Sequence, residues 1–445
     1  MNYTVLVNRN NKFRDSYLKR IELVECPSID NKKILVEKEA YLAYKELKKT
    51  LMKNNIEIGI MDGYRDLETQ QKLWEEGSNL VAEPSFSEHH TGLAIDIMRK
   101  EKGVFTKNNL EDVFPFLKDY GFILSCPDKS WHLRYVGKIP ARIMADNNLN
   151  LEEYLSSYCA ILYVNKPKGI TSFDVVNEIR KAFGINRVGH TGTLDPMATG
   201  VLIVAIGKAT KIVELLTAED KEYIAGVKLG IETDTYDITG KILSKKEVNR
   251  DIDLEKVIKS YKKTYMQEVP IYSAVKVKGK KLYEYARDGK DIDHPKKEVT
   301  IKEIELLSQE KDNFIFRAKV TKGCYIRSLI HDIGISLNTY ATMTSLERIK
   351  QGKVTIEETD SLENIKNGIF TLHKIDEVLD YPIIKVDSFL EKKIRNGMKL
   401  DNTWDINDKV IFKTKDNTLL GIYEKKDSCL QVYKNFCWER FYLMI

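Results

Sequence analysis

A chain of 445 residues exceeds what one hydrophobic core ordinarily serves, and 42% hydrophobic with 31% charged residues marks a globular protein rather than a disordered or fibrous one. No apolar run is long enough to cross a membrane, and MNYTVLVNRNNKFRDSYLKR puts charge and asparagine where an export signal keeps its apolar stretch, so a cytoplasmic protein with no membrane partner is expected. The net charge of +5 is unevenly placed: residues 159–350 carry 33 basic and 26 acidic side chains while both flanks are near balance, which points the middle of the chain toward phosphates.

The first third begins with a strand-like opening. Val36 to Asn54 then has helical periodicity, with Ala40, Tyr44, Leu47 and Leu51 on one stripe. Ile56, Ile58 and Ile60 alternate as in a strand half buried on one face, and Gln70 to Trp74 reads as helix. Next comes PSFSEHHTGLAID, followed further on by SWHLRYVG. His89, Asp96 and His132 in these strings are donors that suit zinc, and three such ligands leave a fourth position for water, as in catalytic sites. The six cysteines (Cys26, Cys126, Cys159, Cys324, Cys429 and Cys437) form no C-x-x-C pair and give no support to a thiolate zinc site.

Arg65 in GYR, the S-E-H-x-T-G-L-A-x-D string and W-H-L-R-Y-V-G together resemble the VanY-type D-alanyl-D-alanine carboxypeptidases over residues 1–158. The resemblance implies an α+β domain, zinc on His89, Asp96 and His132, and Arg65 facing the carboxylate of a small cell-wall peptide, for which a guanidinium fork is well shaped. One position departs. The family places a glutamate three residues before the last ligand as general base, and here that position is Lys129, in CPDKSWHL. A lysine there cannot accept the proton; Asp128 is the neighbouring carboxylate, shorter and offset by one. The expectation is a domain that binds zinc with little peptidase activity; the alternative is a bifunctional chain with an active zinc D-alanyl-D-alanine carboxypeptidase.

No flexible linker follows. ILYV reads as a strand and KPKG as a basic turn carrying Lys166 and Lys168. Thr171 and Asp174 look like a capping box, with Val175, Val176, Ile179 and Phe183 as the buried stripe and Gly184 as the stop. The string GHTGTLDPMATGVLIVAIG holds one acid, Asp195, between glycine turns and ahead of an apolar strand, Val201 to Ile206. KEYIAGVKLGIETDTYDITG alternates like paired strands. QEVPIYSAVKVKGKKLYEYARDG interleaves Lys276, Lys278, Lys280, Lys281 and Arg287 with Tyr272, Tyr283 and Tyr285, as suits a nucleic-acid surface where cations follow phosphates and rings stack on bases.

The Asp195 loop, Lys221 with Tyr223, KVTKGCYIRSLIHDIG and SLERIKQG stand in the order of four motifs of the tRNA pseudouridine-55 synthases (TruB family), which residues 159–380 closely resemble. The resemblance implies a mixed α/β synthase fold with an antiparallel sheet, acting without a cofactor on the T-loop of tRNA. It places the nucleophile on Asp195, its arginine partner on Arg327 and the residue against the target base on Tyr223. Tyr325 and His190 are implied near the flipped base, and Lys166 and Leu346 at the RNA. Turning a uracil about its sugar requires an ionised carboxylate in a partly dry pocket. Burial raises such a pKa and a neighbouring arginine lowers it, so Arg327 is expected to keep Asp195 charged.

Residues 381–445 read as short strands, Val410 to Lys413, Leu419 to Tyr423 and Leu430 to Tyr433, resembling a small β (PUA-like) domain. The chain is therefore expected to be multidomain α+β: a zinc peptidase-like domain, a pseudouridine synthase and a β tail.

Overall fold

The computed structural model describes residues 3–249, 253–289 and 292–437. Local rules set its helices. The Glu37 carboxylate accepts from the Ala40 amide and opens the helix Lys38–Lys53, which buries Ala40, Tyr44, Leu47 and Leu51 as its periodicity predicts. Thr171 and Asp174 cap each other at the start of the helix Ser172–Phe183. Gly184, at φ 63°, ends that helix in the left-handed conformation.

The first third is built on an antiparallel sheet in the order Ile58–Asp62, Ala94–Glu101, His132–Tyr135, Phe122–Leu124, backed by the helix Lys38–Lys53. The expectation of one buried face for the first strand fails, since Ile58, Gly59 and Ile60 are all buried. A β-carbon on Gly59 would lie 2.4 Å from the Ile29 side chain, so the second face is covered as well.

The middle of the chain forms a larger, mixed sheet. Its strands run Thr264–Glu268, Lys296–Glu310, Asn313–Val320, Lys221–Leu229, Ala341–Gln351, Thr199–Gly207, Cys159–Lys166, Asp360–Ser361. Lys221–Leu229 does not pair with the segment that follows it, as the alternation suggested. It lies between Asn313–Val320 and Ala341–Gln351 and is buried along most of its length. Thr199–Gly207 meets Ala341–Gln351 in a short parallel contact at Gly200 and Arg348. The backbones approach so closely there that a β-carbon on Gly200 would sit 2.2 Å from the Arg348 carbonyl oxygen. The tail forms its own five-stranded sheet, in which Ile383–Val386 runs parallel to Lys409–Thr414. Its Ile411, Ile422 and Phe436 pack with Ile161, Val201 and Ile203 of the larger sheet.

A single core crosses the expected boundary at Tyr158 and Cys159. Ile139, Met144, Leu151 and Tyr154, on the helices Lys138–Asp146 and Leu151–Ser157, share one cluster with Leu162, Val175, Ile179 and Phe183. The Tyr154 hydroxyl donates to the Phe183 carbonyl at 2.6 Å, and the Thr4 hydroxyl donates to the Gly184 carbonyl. The last carbonyls of the helix Ser172–Phe183 are thus satisfied from the first third of the chain. Tyr154→Ala removes a fully buried ring and this bond together, and is expected to cost about 3–5 kcal/mol in denaturant unfolding of the full chain. An unchanged midpoint would show that the two parts do not depend on this core.

Candidate active site and candidate metal centre

Asp195 projects from the loop between the strands Val188–His190 and Thr199–Gly207. The Ser172 hydroxyl holds the preceding residue twice, accepting from the Leu194 amide at 2.9 Å and donating to its carbonyl at 3.2 Å. Gly169 donates its amide to the Pro196 carbonyl at 2.7 Å. Arg348, 1% exposed, donates from Nε to the Val201 carbonyl at 2.6 Å and from Nη2 to the Gly192 carbonyl at 3.2 Å. The loop is a rigid mount.

Arg327 comes from the first turn of the helix Ile326–Ser336 and meets Asp195 side-on. Its Nε lies 2.9 Å from Oδ2 and its Nη2 3.1 Å from Oδ1, a two-point pairing. The remaining donors reach the Thr235 carbonyl at 3.2 Å and the Tyr272 carbonyl at 3.0 Å, and Asp237 stands 3.9 Å away on the other side. The Asp195 side chain keeps about a third of its surface open (32%) while that of Arg327 keeps 7%. Burial pushes the Asp195 carboxyl above the ordinary range; Arg327 opposes this and Asp237 adds to it. Burial and a second carboxylate thus outweigh one guanidinium in the direction of the change, and the part of Arg327 is to limit it.

Tyr223 is buried among Leu194, Met197 and Leu346, with Arg348 hydrogen-bonded to its hydroxyl. Burial pushes that hydroxyl up and Arg348 opposes. Tyr325 is half-buried beside Arg327, and the half-buried His190 accepts from the Gly192 amide at 3.3 Å. Two residues expected at the RNA lie inside the fold. Lys166 is fully buried, and its ammonium donates to the carbonyls of Pro167, Ile170 and Pro196, so it braces the loop rather than meeting a phosphate. Leu346 belongs to the apolar wall around Tyr223 rather than to the surface. In the basic segment, Lys281 and Arg287 both stack on the Tyr283 ring, and Lys280 on Tyr285. Cations thus cover rings that were expected to be free for bases. Asp237 was not singled out from sequence, and Arg348 stood there only as part of the SLERIKQG motif without a task; both are buried and bonded beside the loop, a property no spacing reveals.

The second site follows from strand register. Asp62, Asp96 and His132 stand opposite one another on three adjacent antiparallel strands, which puts their side chains on one face. His89 arrives from the turn Glu88–Thr91. Its Nδ1 donates to the Gly63 carbonyl at 2.6 Å, which leaves Nε2 as the free lone pair, 3.4 Å from Asp96 Oδ1. His132 Nδ1 lies 2.8 Å from the same oxygen. Donors bonded at about 2.0–2.1 Å around a tetrahedral zinc stand roughly 3.3 Å apart, so this set fits the ion. Burial raises the Asp96 carboxyl, but the two histidines hold it far below the usual carboxylate range. Burial lowers the His132 imidazole, yet Asp96 and Glu88 push it up to about 9. Arg65 is tied to Asp62 at 2.8 Å, to Asp96 at 3.3 Å and to Gln70 at 3.3 Å. These residues line a cavity of about 890 Å³ together with Lys129 and the exposed Asp128.

Comparison with known proteins finds both families along the chain. Residues 180–326 match the model of the TruB family pseudouridylate synthase N-terminal domain, and residues 33–138 match that of D-alanyl-D-alanine carboxypeptidase (VanY). The chain is 44% identical over 283 residues to tRNA pseudouridine synthase B of Clostridium novyi, covering 62% of this chain and 98% of that protein. It is 48% identical over 199 residues to the synthase of the same name from Fusobacterium nucleatum, covering 44% and 69%. A solved structure of the vancomycin-resistance D,D-pentapeptidase VanY with Zn(II) is 26% identical and covers 35% of this chain and 100% of that one, at a TM-score of 0.30. The chain belongs to the TruB family of pseudouridine synthases and carries a VanY-like domain ahead of the synthase. No helix among the described residues is long and apolar enough to cross a membrane.

A carboxylate nucleophile works ionised, and since burial already holds the Asp195 pKa above its ordinary value, losing Arg327 raises it further. Arg327→Met is therefore expected to lower the rate of pseudouridine formation most at low pH and to regain part of it as the pH rises. A pH–rate profile with the wild-type shape would remove Arg327 from this role.

Proposed function

We propose that the protein converts uridine to pseudouridine at position 55, in the T-loop of tRNA, with Asp195 as nucleophile. The observation that carries the reading is the two-point pairing of the buried Arg327 with the part-exposed Asp195, on a loop whose Leu194 shares one buried cluster with Tyr223. The reaction breaks the N-glycosidic bond, turns the uracil and rejoins it through carbon. The base must leave its stack, at a cost of a few kcal/mol, and Tyr223 receives it. Arg327 holds the Asp195 carboxylate in one orientation for attack on the sugar or the ring. Tyr325 and His190 line the approach of the flipped nucleotide. No metal or cofactor has a part in these steps. Asp195→Asn keeps the size of the side chain and removes the nucleophile. It is expected to abolish product formation in purified enzyme while tRNA affinity stays within a few-fold, since phosphate contacts lie elsewhere. Appreciable turnover would overturn the assignment.

A second activity is read in the first third, residues 1–158. His89, Asp96 and His132 would hold one zinc, which when bound polarises a water, and Arg65 would take the carboxylate of a small cell-wall peptide. The position of the base is held by Lys129, which as an ammonium has no lone pair to give. The domain is read as binding zinc and peptide with hydrolysis about 10²–10⁴-fold below a site that has its base. Lys129→Glu is expected to raise D-alanyl-D-alanine cleavage by the zinc-loaded protein. Robust cleavage by the unaltered chain would assign the base to another group, Asp128 first.

A further inference from the structure

The cavity with the His89–Asp96–His132 cluster contains a further, half-buried carboxylate, that of Glu88, which the reading above leaves without a task. Two roles compete for it: replacement for the missing base beside Lys129, or support for a ligand. The geometry decides. Glu88 Oε2 lies 3.0 Å from His132 Nε2, on the far side of the imidazole from the Nδ1 that faces Asp96. The same oxygen accepts from the Ser125 hydroxyl, and Oε1 lies 3.6 Å from Arg134 Nε. Arg134 is fully buried and is itself anchored to the Thr91 hydroxyl and to the carbonyls of Tyr3 and Val5. Glu88 thus has Oε2 taken up by His132 and Ser125, and Oε1 beside Arg134.

We infer that Glu88 is a positioning residue for zinc: it accepts the Nε2 proton of His132 and so presents Nδ1, as a lone pair, to the ion. This rests on the reading of His89, Asp96 and His132 as ligands. The physical basis is that an imidazole has two nitrogens, and the hydrogen bond made by one fixes which tautomer offers the other. His89 is fixed in the mirror sense by the Gly63 carbonyl, which takes its Nδ1 proton and leaves Nε2 for the metal. An anionic partner also makes the imidazole a better donor than a carbonyl does. The opposite arrangement, an ion on Nε2 held with Glu88 and Cys126, is within reach of those side chains. It is disfavoured because the Arg134 guanidinium sits beside Glu88 and the Lys129 ammonium acts on Cys126, so a cation there would face two like charges.

The test is competition for zinc between a chelator and the full-length protein. Glu88→Ala is expected to weaken zinc about 10–100-fold. Glu88→Gln, whose amide oxygen still accepts from Nε2–H, is expected to lose only several-fold in zinc affinity while its metal-free thermal midpoint falls, because Arg134 loses its carboxylate. That variant separates ligand positioning from the burial of Arg134. Nitrogen-15 spectra of the zinc-loaded protein should show His132 protonated at Nε2, with that proton exchanging faster in Glu88→Ala. Cys126→Ser should leave zinc affinity unchanged. Wild-type affinity in both Glu88 variants, or a loss in Cys126→Ser as large as that in Glu88→Ala, overturns the inference while leaving the ligand assignment standing. Wild-type protein that takes up no zinc, or a His89→Ala variant that takes it up as well, overturns both.

Discussion

Arg327 can fix Asp195 only because the rest of its guanidinium is already spoken for. Two backbone carbonyls, from Thr235 and Tyr272, and the nearby Asp237 carboxylate leave one edge of the fork for the Asp195 loop. A buried arginine with spare donors would carry a large desolvation penalty and would wander among partners; a saturated one has a single geometry. The four segments that meet here are brought together by the sheet and the helix Ile326–Ser336. The fold is, in that sense, the means of satisfying one guanidinium.

The same economy of buried charge governs the first third of the chain. His132 lies between Asp96 and Glu88, Glu88 between His132 and Arg134, and Arg134 between Glu88 and carbonyls of the N-terminal segment. Each member is tolerated because the next one compensates it. A positive Lys129 at the mouth of this cavity alters the chemistry without disturbing the frame, since it is only partly buried and outside the chain of bonds.

The two sites are joined mechanically. The helix Ser172–Phe183 has its first residue bonded to Leu194, beside Asp195, and the carbonyls of Phe183 and the following Gly184 bonded to Tyr154 and Thr4. The cavity of the first third is in turn lined by Leu151 and Glu152, on the helix that carries Tyr154. A rigid helix with both ends pinned is what holds the synthase loop against the preceding part of the chain.

Much of this was open to the sequence alone. Helices with a cap, a stripe and a glycine stop, such as Ser172–Phe183, are written in residues within a few positions of one another, and the structure returns them as expected. The residue types that define each chemistry, an acid in a glycine loop and a His–Asp–His set, were likewise legible, because side-chain chemistry does not depend on partners. What needed the tertiary structure was everything decided at long range. Strand Lys221–Leu229 took neighbours far along the chain, since strand pairing is settled by which apolar faces meet. Lys166 went inside because three carbonyls converge on its ammonium, and a lysine's sequence context does not say whether its charge ends in water or on carbonyls. The direction of the Asp195 shift, the parts played by Asp237 and Glu88, and the core shared across Tyr158 all depend on depth and proximity, which only the folded chain supplies.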